Sequence, residues 1–303
     1  MKTEEIPVTI LTGFLGAGKT TYLNLLLARD APRGSLILVN DFGDINIDAE
    51  LIDYSDESIL RLSNGCICCT LGGSLAEQLA KYLRMEVHPA AIFIEASGIS
   101  NPSRIVDTVT ISPRLYMQEV VCLVDASQVI RHTADPRVVD VWCNQIRVAD
   151  RLLVNRHRLD QDHSQLIVEL RDMAEQKLKN ETSRFSMPTL AAGKRPFANF
   201  DHKQTQSHTA RWQSCSFSYN SLIDGLRLEE LIRQYEDVLV RAKGILHRSG
   251  SSGMEVFQFS GDDIRWQSLV RRLGKGQLVC LGFKGKRFTE LQGELKSLEH
   301  DMT

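Results

Sequence analysis

The sequence predicts an α/β protein built on a doubly wound, mostly parallel sheet, followed by a smaller α+β domain. Three observations predict this class. Short, uninterrupted apolar runs recur through the first half of the chain, and helical segments separate them. The 303 residues are about twice the usual length of one domain, so a large and a small domain are expected. Beyond residue 212, strand and helix patterns mix within about 90 residues.

Six short strands are predicted for the larger domain, because each segment is apolar and is bounded by polar or glycine-containing sequence. A strand that is buried on both faces, as in a parallel sheet covered by helices, has this continuous apolar pattern. The predicted strands are Val8–Leu11, Ser35–Val39, Ala90–Ile94, Val120–Val124, Leu152–Val154 and Pro188–Ala191. Helices are predicted over Tyr22–Ala28 and along an apolar stripe that runs from Leu166 to Leu178.

The chain changes character after Gly193, which divides it into two domains. Residues 194–211 are polar and are predicted to form a linker between a domain at 1–193 and a domain at 212–303. The smaller domain is predicted to mix strands with helices. The strands are Gln213–Tyr219, Met254–Phe259 and Gln277–Gly282, and the helices are Leu222–Leu239 and Arg287–Glu299.

The charge balance and the N-terminal sequence exclude several classes of protein. The chain has 36 basic and 38 acidic side chains, whereas proteins that bind nucleic acid or anionic membranes usually need a clear basic excess. No apolar run approaches the roughly 18 residues of a membrane span, and the first residues lack the apolar core of a signal peptide. We therefore expect a cytoplasmic protein without nucleic-acid or membrane partners, whose seven cysteines form no disulfide framework.

A glycine-rich motif follows the first predicted strand and precedes the first predicted helix. Residues 13–20 read Gly-Phe-Leu-Gly-Ala-Gly-Lys-Thr and satisfy G-x-x-x-x-G-K-[ST], the phosphate-binding loop of P-loop nucleoside triphosphatases. In such a loop several backbone N–H groups face one phosphate, Lys19 reaches the β- and γ-phosphates, and Thr20 binds Mg²⁺. The expected nucleotide-binding residues are Gly13, Gly16, Ala17, Gly18, Lys19, Thr20, Thr21, Gly98 and Asn155.

A P-loop enzyme also needs an acidic residue at the end of another strand to hold Mg²⁺ or its water. Two candidates stand at strand ends: Glu95, within Glu-Ala-Ser-Gly, and Asp41, within Asn-Asp-Phe-Gly-Asp. We expect Lys19, Asp41 and Glu95 to carry catalysis, with the N–H of Gly98 donating to the γ-phosphate. Asp125 ends the fourth strand, and capping the next helix is as consistent with its position as a functional role.

Base recognition is expected at the end of the fifth strand, where Asn155 begins the segment Asn-Arg-His-Arg-Leu-Asp. A guanine-binding site has Asn-Lys-x-Asp, in which the aspartate accepts hydrogen bonds from the guanine ring. Arg158 stands at the position of that aspartate and carries only donors. Asp160 lies two residues later, and whether it replaces the missing carboxylate is open.

Three cysteines lie within four residues, in the segment Asn-Gly-Cys-Ile-Cys-Cys-Thr: Cys66, Cys68 and Cys69. Soft thiolates at this spacing suit Zn²⁺ or Cu(I), and a ligand shell with an open fourth position suits a site that transfers its metal. A redox disulfide, packing cysteines and a structural zinc site are the competing interpretations. The other cysteines lie singly in apolar segments, and packing is the better interpretation of Cys122, Cys143, Cys215 and Cys280.

Several segments together carry a resemblance to a known family. They are residues 12–21, 39–43, 64–71, 95–98 and 145–155, with residues 241–246 and the following strands in the C-terminal part. In these segments the chain resembles the CobW-type metallochaperone GTPases, relatives of the UreG and HypB nickel-insertion GTPases. The resemblance covers the whole chain. It implies GTP hydrolysis coupled to delivery of a metal to a client metalloprotein, with GTP, Mg²⁺ and Zn²⁺ or Co²⁺ as ligands.

The chain also departs from the family pattern. Asp41 stands where the family usually has glutamate, which shortens the reach of the acid. Arg156 and Arg158 interrupt the Asn-Lys-x-Asp motif, which bears on the preference for guanine. The histidine-rich tract of many members is reduced to isolated residues. His202 and His208, in the predicted linker, could capture additional metal, although surface histidines without a role are commoner.

The sequence therefore predicts a GTPase that binds zinc or a similar divalent metal at its cysteine motif and passes the metal to a client protein. The identity of the metal and of the client is left open, as is the oligomeric state, for which a homo-oligomer is one option. Two other functions also stay open. The chain could be a non-catalytic zinc store or sensor that binds a nucleotide. It could also be a P-loop kinase that phosphorylates a small molecule, in which case the cysteines would not respond to metal.

Overall fold

The described part of the chain forms two β-sheets, a parallel sheet followed by an antiparallel one. The computed structural model describes residues 5–39, 59–61, 73–156, 163–181, 211–261, 263–269 and 274–298. The strands of the first sheet are β1 (Ile6–Thr12), β2 (Leu36–Val39), β3 (Ile59–Arg61), β4 (Ile92–Glu95), β5 (Leu115–Asp125) and β6 (Arg151–Asn155). The helices around it are α1 (Lys19–Arg29), α2 (Gly73–Leu83), α3 (Ser103–Thr110), α4 (Val129–Ala134), α5 (Val139–Val148) and α6 (His163–Glu181).

Neighbouring strands of the first sheet pair in parallel, in the spatial order β3-β2-β4-β1-β5-β6. The central strand β1 is covered on both faces: Val8 and Ile10 pack into one hydrophobic cluster, and Leu11 packs into another. This confirms the doubly wound α/β class. Five of the six predicted strands are present, β3 was not predicted, and the predicted strand Pro188–Ala191 lies outside the described residues.

The second sheet is antiparallel and carries two helices, which confirms the predicted α+β character. Its spatial order is β10-β9-β8-β11-β7. The strands are β7 (Trp212–Tyr219), β8 (Leu239–His247), β9 (Met254–Ser260), β10 (Asp263–Ser268) and β11 (Gly276–Phe283), and the helices are α7 (Gly225–Gln234) and α8 (Lys286–Ser297). Within the described ranges, no helix combines the length and the apolar character that a membrane span requires.

The predicted helix Leu222–Leu239 is wrong at both ends. Helix α7 starts after Asp224, whose carboxylate accepts hydrogen bonds from the N–H groups of Leu226 (2.9 Å) and Arg227 (3.2 Å) and so caps the helix. It ends at Gln234, and Leu239 already begins strand β8. Tyr235 and Leu239 continue the apolar spacing of the helix in sequence, although they lie in a turn and a strand. Both are buried in the same hydrophobic core as the helix.

Strands β8 and β10 were not predicted.

Two of the cysteines that were interpreted as packing residues lie opposite each other on neighbouring strands, both as free thiols. Cys215 on β7 stands directly opposite Cys280 on β11. The Cys280 thiol donates a hydrogen bond that lowers the pKa of Cys215, whereas that bond and complete burial raise the pKa of Cys280. Cys122 and Cys143 are buried core residues, as expected, and burial raises the pKa of Cys122 to about 12.

Candidate nucleotide-binding site

The carboxyl edge of the parallel sheet carries the predicted site residues that the structure describes. Thr12 ends β1 and leads into the glycine-rich loop, and Glu95 ends the neighbouring strand β4. Asp125 and Asn155 end β5 and β6 on the other side. Because parallel strands point in the same direction, these ends meet at one edge, which is where open α/β sheets bind their ligands.

The glycine-rich loop has a backbone that its glycines alone permit. Gly13, Gly16 and Gly18 have φ angles of 132°, 79° and 91°, a region that side chains with a Cβ rarely adopt. A Cβ on Gly13 would also collide with the carbonyl group of Leu123 on β5. The loop turns directly into α1, whose first N–H groups and positive helix end favour an anion. Ala17 is buried in the loop, and Thr21 is exposed in the first turn.

Lys19 spans the loop from inside. Its side chain is only 6% exposed, and its Nζ donates to the carbonyl oxygen of Gly13 at 3.0 Å and to that of Phe14 at 3.5 Å. The two bonds hold the ammonium group against the loop. A positive charge beside a helix N-terminus suits the binding of phosphate.

Thr20 and Glu95 bring together two side-chain oxygens, the type of ligand that Mg²⁺ prefers. The Thr20 hydroxyl donates to Oε1 of Glu95 at 2.9 Å, and Glu95 is only 2% exposed. The N–H of Ala96 donates to the carbonyl oxygen of Leu11 at 2.8 Å, so the strand end that carries Glu95 is fixed against β1. Of the two acidic candidates, Glu95 therefore lies beside Thr20, whereas Asp41 lies outside the described residues.

Gly98 packs directly against the phosphate loop. A Cβ on Gly98 would lie 2.6 Å from Cδ2 and 2.9 Å from the backbone nitrogen of Leu15. The fully buried Gln145 on α5 holds this segment in place, because its Nε2 donates to the carbonyl oxygens of Gly98 (3.0 Å) and Ser100 (3.2 Å). Sequence reasoning gave Gln145 no role of its own, although a buried amide on an apolar helix face indicates a specific partner.

Asn155 ties the end of β6 to the phosphate loop. Its Nδ2 donates to the carbonyl oxygen of Ala17 at 2.7 Å and lies close to Gly18. Its Oδ1 is buried, and no donor among the described residues reaches it. A buried acceptor of this kind costs free energy unless a ligand or water donates to it, so it fits a site that receives a nucleotide base.

Asp125 acts as a helix cap and also binds an arginine. Its Oδ1 accepts from the N–H (3.0 Å) and the hydroxyl (2.6 Å) of Ser127, which caps the 3₁₀ turn Ala126–Gln128. Its Oδ2 accepts from Arg156 at 2.6 Å. Arg156, at the lysine position of the guanine motif, has a positive φ of 51°, and its ion pair with Asp125 holds it against the end of β5. Arg158 and Asp160 lie outside the described residues.

The predicted metal ligands also lie outside the described residues. These are Cys66, Cys68 and Cys69, with His202 and His208. Within the described ranges, no group of three or more histidine, cysteine or acidic side chains is arranged to hold a metal ion. The metal site therefore stays a prediction from the cysteine motif.

A buried histidine packs against the phosphate loop. The ring of His132 on α4 packs edge-on against Phe14 of the loop at 4.6 Å between centroids. Burial and, to a smaller extent, the positive charge of Arg131 lower the pKa of His132 from 6.5 to about 4, against the opposing effect of Asp125 and Asp135. The imidazole is therefore neutral at pH 7.

Protonation of His132 should destabilise the fold below pH 6.5. Above that pH the side chain is neutral in both states, whereas at lower pH the unfolded chain takes up the proton first. Stability should then fall by about 1.4 kcal/mol per pH unit until pH 4. In urea unfolding, the wild type should lose roughly 2 kcal/mol more between pH 7 and pH 5 than His132→Gln. Parallel pH profiles for the two proteins would rule out this role of His132.

The chain matches a family model and several characterised proteins. The model described as CobW/HypB/UreG, nucleotide-binding domain, matches residues 7–183. "Zinc chaperone CobW" of Sinorhizobium sp is 37% identical over 135 residues, which cover 41% of this chain and 38% of that protein. "Zinc chaperone YjiA" of Escherichia coli (strain K12) is 31% identical over 159 residues, which cover 50% and 49%. The matches thus span less than half of the length of these curated relatives.

Among solved structures, the Zn(II)-bound YjiA GTPase from E. coli aligns over 97% of this chain and 99% of its own, with 19% identity and a TM-score of 0.36. The family model matches more than half of the chain, and its range includes the glycine-rich loop, Glu95 and Asn155. The chain therefore belongs to the CobW/HypB/UreG family and carries the nucleotide-binding domain of that family at residues 7–183.

Proposed function

We propose that the protein is a GTP-hydrolysing metallochaperone, which binds Zn²⁺ or a similar divalent metal at Cys66, Cys68 and Cys69 and passes it to a client protein. One observation carries the nucleotide part: the phosphate loop continues into Thr20, whose hydroxyl bonds to the buried Glu95. The relatives named as zinc chaperones support the metal part. The proposal includes a cytoplasmic location, in which free thiols stay reduced and can bind metal.

Hydrolysis in such a site depends on positioning and on neutralisation of charge. Lys19 and the first N–H groups of α1 would bind the β- and γ-phosphates, and Gly98 would donate its N–H to the γ-phosphate. Thr20 and Glu95 would hold Mg²⁺, with Asp41 as a further candidate ligand. When bound, Mg²⁺ supplies positive charge that offsets the charge of the phosphate oxygens.

The position of the cysteine motif supports a coupling between nucleotide and metal. The chain leaves β3 at Arg61 and re-enters the described structure at Gly73, and the motif lies between these points. The carboxyl end of β3 lies at the same sheet edge as the phosphate loop, three strands away, or about 14 Å at the usual strand spacing. We infer that a segment that leaves the sheet at this edge can change its arrangement with the nucleotide. A coupling of about 1–3 kcal/mol would change metal affinity roughly 5- to 150-fold.

The base-binding motif is one part of the nucleotide site in which this chain departs from its family. Asn155, at the end of β6, bonds to the phosphate loop, but Arg158 replaces the aspartate that binds guanine in the family motif. The phosphate contacts persist, so GTP should still bind. Loss of the carboxylate should reduce discrimination against the wrong base by about 2–3 kcal/mol, or roughly 30- to 150-fold.

Competition titrations test this assignment. GTP and ATP should both displace a fluorescent GTP analogue. The preference for GTP over ATP should be weaker than a complete Asn-Lys-x-Asp site gives. Arg158→Asp should raise the preference for GTP. If Asp160 has taken over the role, Asp160→Ala should instead weaken GTP selectively and Arg158→Asp should change little. A wild-type preference above about a thousandfold would contradict the weakened site, and no displacement by either nucleotide would contradict the proposed function itself.

A further inference from the structure

The C-terminal sheet contacts the backbone of the phosphate loop. The hydroxyl of Ser260, the last residue of β9, donates to the carbonyl oxygen of Leu15 at 3.3 Å. The next loop residue, Gly16, approaches the same side chain so closely that a Cβ on Gly16 would lie 2.9 Å from the Cβ of Ser260. Two consecutive residues of the phosphate loop therefore lie against one side chain of the other sheet.

The side chains of the loop also belong to a core that both sheets share. Phe14 and Leu15 pack in one hydrophobic cluster with Trp212, Leu281 and Phe283 of the C-terminal sheet. The ring centroid of Trp212 lies 6.3 Å from that of Phe14 and 4.9 Å from that of Phe283. Because cores are close-packed, the loop cannot shift without disturbing β7 and β11.

On its other side the loop contacts the segment expected to bind the γ-phosphate. Gly98 packs on Leu15, and Gln145 holds the carbonyl group of Gly98. Leu15 is thus in contact with Gly98 on one side and with Ser260 on the other. The three residues form a continuous path from the expected position of the γ-phosphate to the end of β9.

Polar contacts and a cleft also lie at this interface. The exposed Arg137 lies 3.8 Å over the ring of the buried Phe283. It also donates to the carbonyl oxygen of Asp237 at 3.3 Å, in an exposed hydrogen bond. Beside these contacts an open cleft runs between the sheets, with Gln128 and Asp135 among its lining residues. Exposed polar contacts of this kind are individually weak. The contact at Ser260 therefore lies at the border between the shared core and this cleft.

We propose that Ser260 is a positioning residue of the phosphate loop, and that the C-terminal domain distinguishes a bound nucleoside triphosphate from a diphosphate through Gly98, Leu15 and Ser260. The inference rests on the proposed function, because it requires a nucleotide on this loop. The structure contains the loop in its preformed arrangement, with Lys19 bonded across it, so the Ser260 contact stabilises the conformation that binds phosphate. By linkage, a ligand that favours one arrangement of the loop must also favour one arrangement of the C-terminal sheet.

Substitutions at Ser260 test the positioning role. In titrations with a fluorescent GTP analogue, Ser260→Ala should raise the Kd about two- to tenfold, the usual effect of losing one hydrogen bond. Ser260→Leu should raise it more than tenfold, because the larger side chain would displace Gly16. Ser268→Ala, at the exposed end of the neighbouring strand β10, is the matched control and should bind like the wild type. Circular dichroism and thermal unfolding would verify that the variants fold.

Hydrogen exchange on the wild-type protein tests the coupling. A non-hydrolysable GTP analogue should change the exchange of amides at 257–261 and 212–219, whereas GDP should change it less, and Ser260→Leu should reduce the difference. Wild-type affinity in both Ser260 variants, or changes confined to the N-terminal sheet, would overturn this inference and leave the proposed function intact. A wild-type protein that binds neither nucleotide would overturn both.

Discussion

Replacing Lys19 with alanine should abolish GTP hydrolysis and weaken triphosphate binding by roughly a hundredfold or more. In the proposed function, Lys19 supplies the point charge for the β- and γ-phosphates. Its side chain is buried and its ammonium group bonds to the loop carbonyls. Without it, the negative charge that develops on the phosphates has one positive partner fewer. Phosphate release and equilibrium titration of a fluorescent GTP analogue measure the two effects.

A surface lysine provides the matched control for this substitution. Lys81, near the end of α2, is exposed, and Lys81→Ala should leave both binding and turnover unchanged. Thermal unfolding of Lys19→Ala checks that the loop still folds without the bond to Gly13. Normal turnover by a folded Lys19→Ala protein would refute the assignment of the nucleotide site.

Replacing Cys66, Cys68 and Cys69 together with serine should remove the bound zinc. The wild type should bind about one Zn²⁺, and Co²⁺ in its place should give thiolate-to-metal charge-transfer absorption. Because the thiols ionise as they bind, uptake should release protons and weaken as the pH falls. Equilibrium dialysis measures the metal content, and absorption spectra of the cobalt-loaded proteins report the ligands.

The control for the cysteine variant lies in the other sheet. Cys215→Ser changes a thiol that is only partly buried and is paired with Cys280, so it should keep the zinc and the cobalt spectrum. Equal metal content in the triple variant and the wild type would mean that the cysteine motif is not the metal site. The metallochaperone proposal would then lose its main support.

The sequence predicted the fold most accurately where one physical constraint determines the pattern. Strands β1, β2 and β4 are buried over almost their whole length and β5 is buried over 120–125, so each appears as an apolar run. The edge strand β6 is only partly buried, but 152–154 are apolar. Strand β3 has only three residues, too few to give a pattern. Strand β10 did give one, since Ile264 and Trp266 alternate with exposed Arg265 and Gln267, and the alternation went unrecognised.

The sequence predicts the local motif of the site but not the contacts between residues that are far apart in the chain. The phosphate loop is a local motif, and the positive φ angles of Gly13, Gly16 and Gly18 agree with its need for glycine. The bond from Asn155 to Ala17 joins residues 138 positions apart, and the bond from Ser260 to Leu15 joins residues 245 positions apart. Such contacts depend on how strands and sheets pack, and no spacing in the chain encodes them.

The rate of phosphate release from GTP tests the coupling of nucleotide and metal most directly. It is measured with and without Zn²⁺, on the wild type and on the variant in which Cys66, Cys68 and Cys69 are replaced with serine. If the cysteine segment and the phosphate loop act on one another, Zn²⁺ should change the rate of the wild type and leave the rate of the variant unchanged. The absence of phosphate release under every condition, or an identical response to Zn²⁺ in both proteins, would contradict a metal-coupled GTPase.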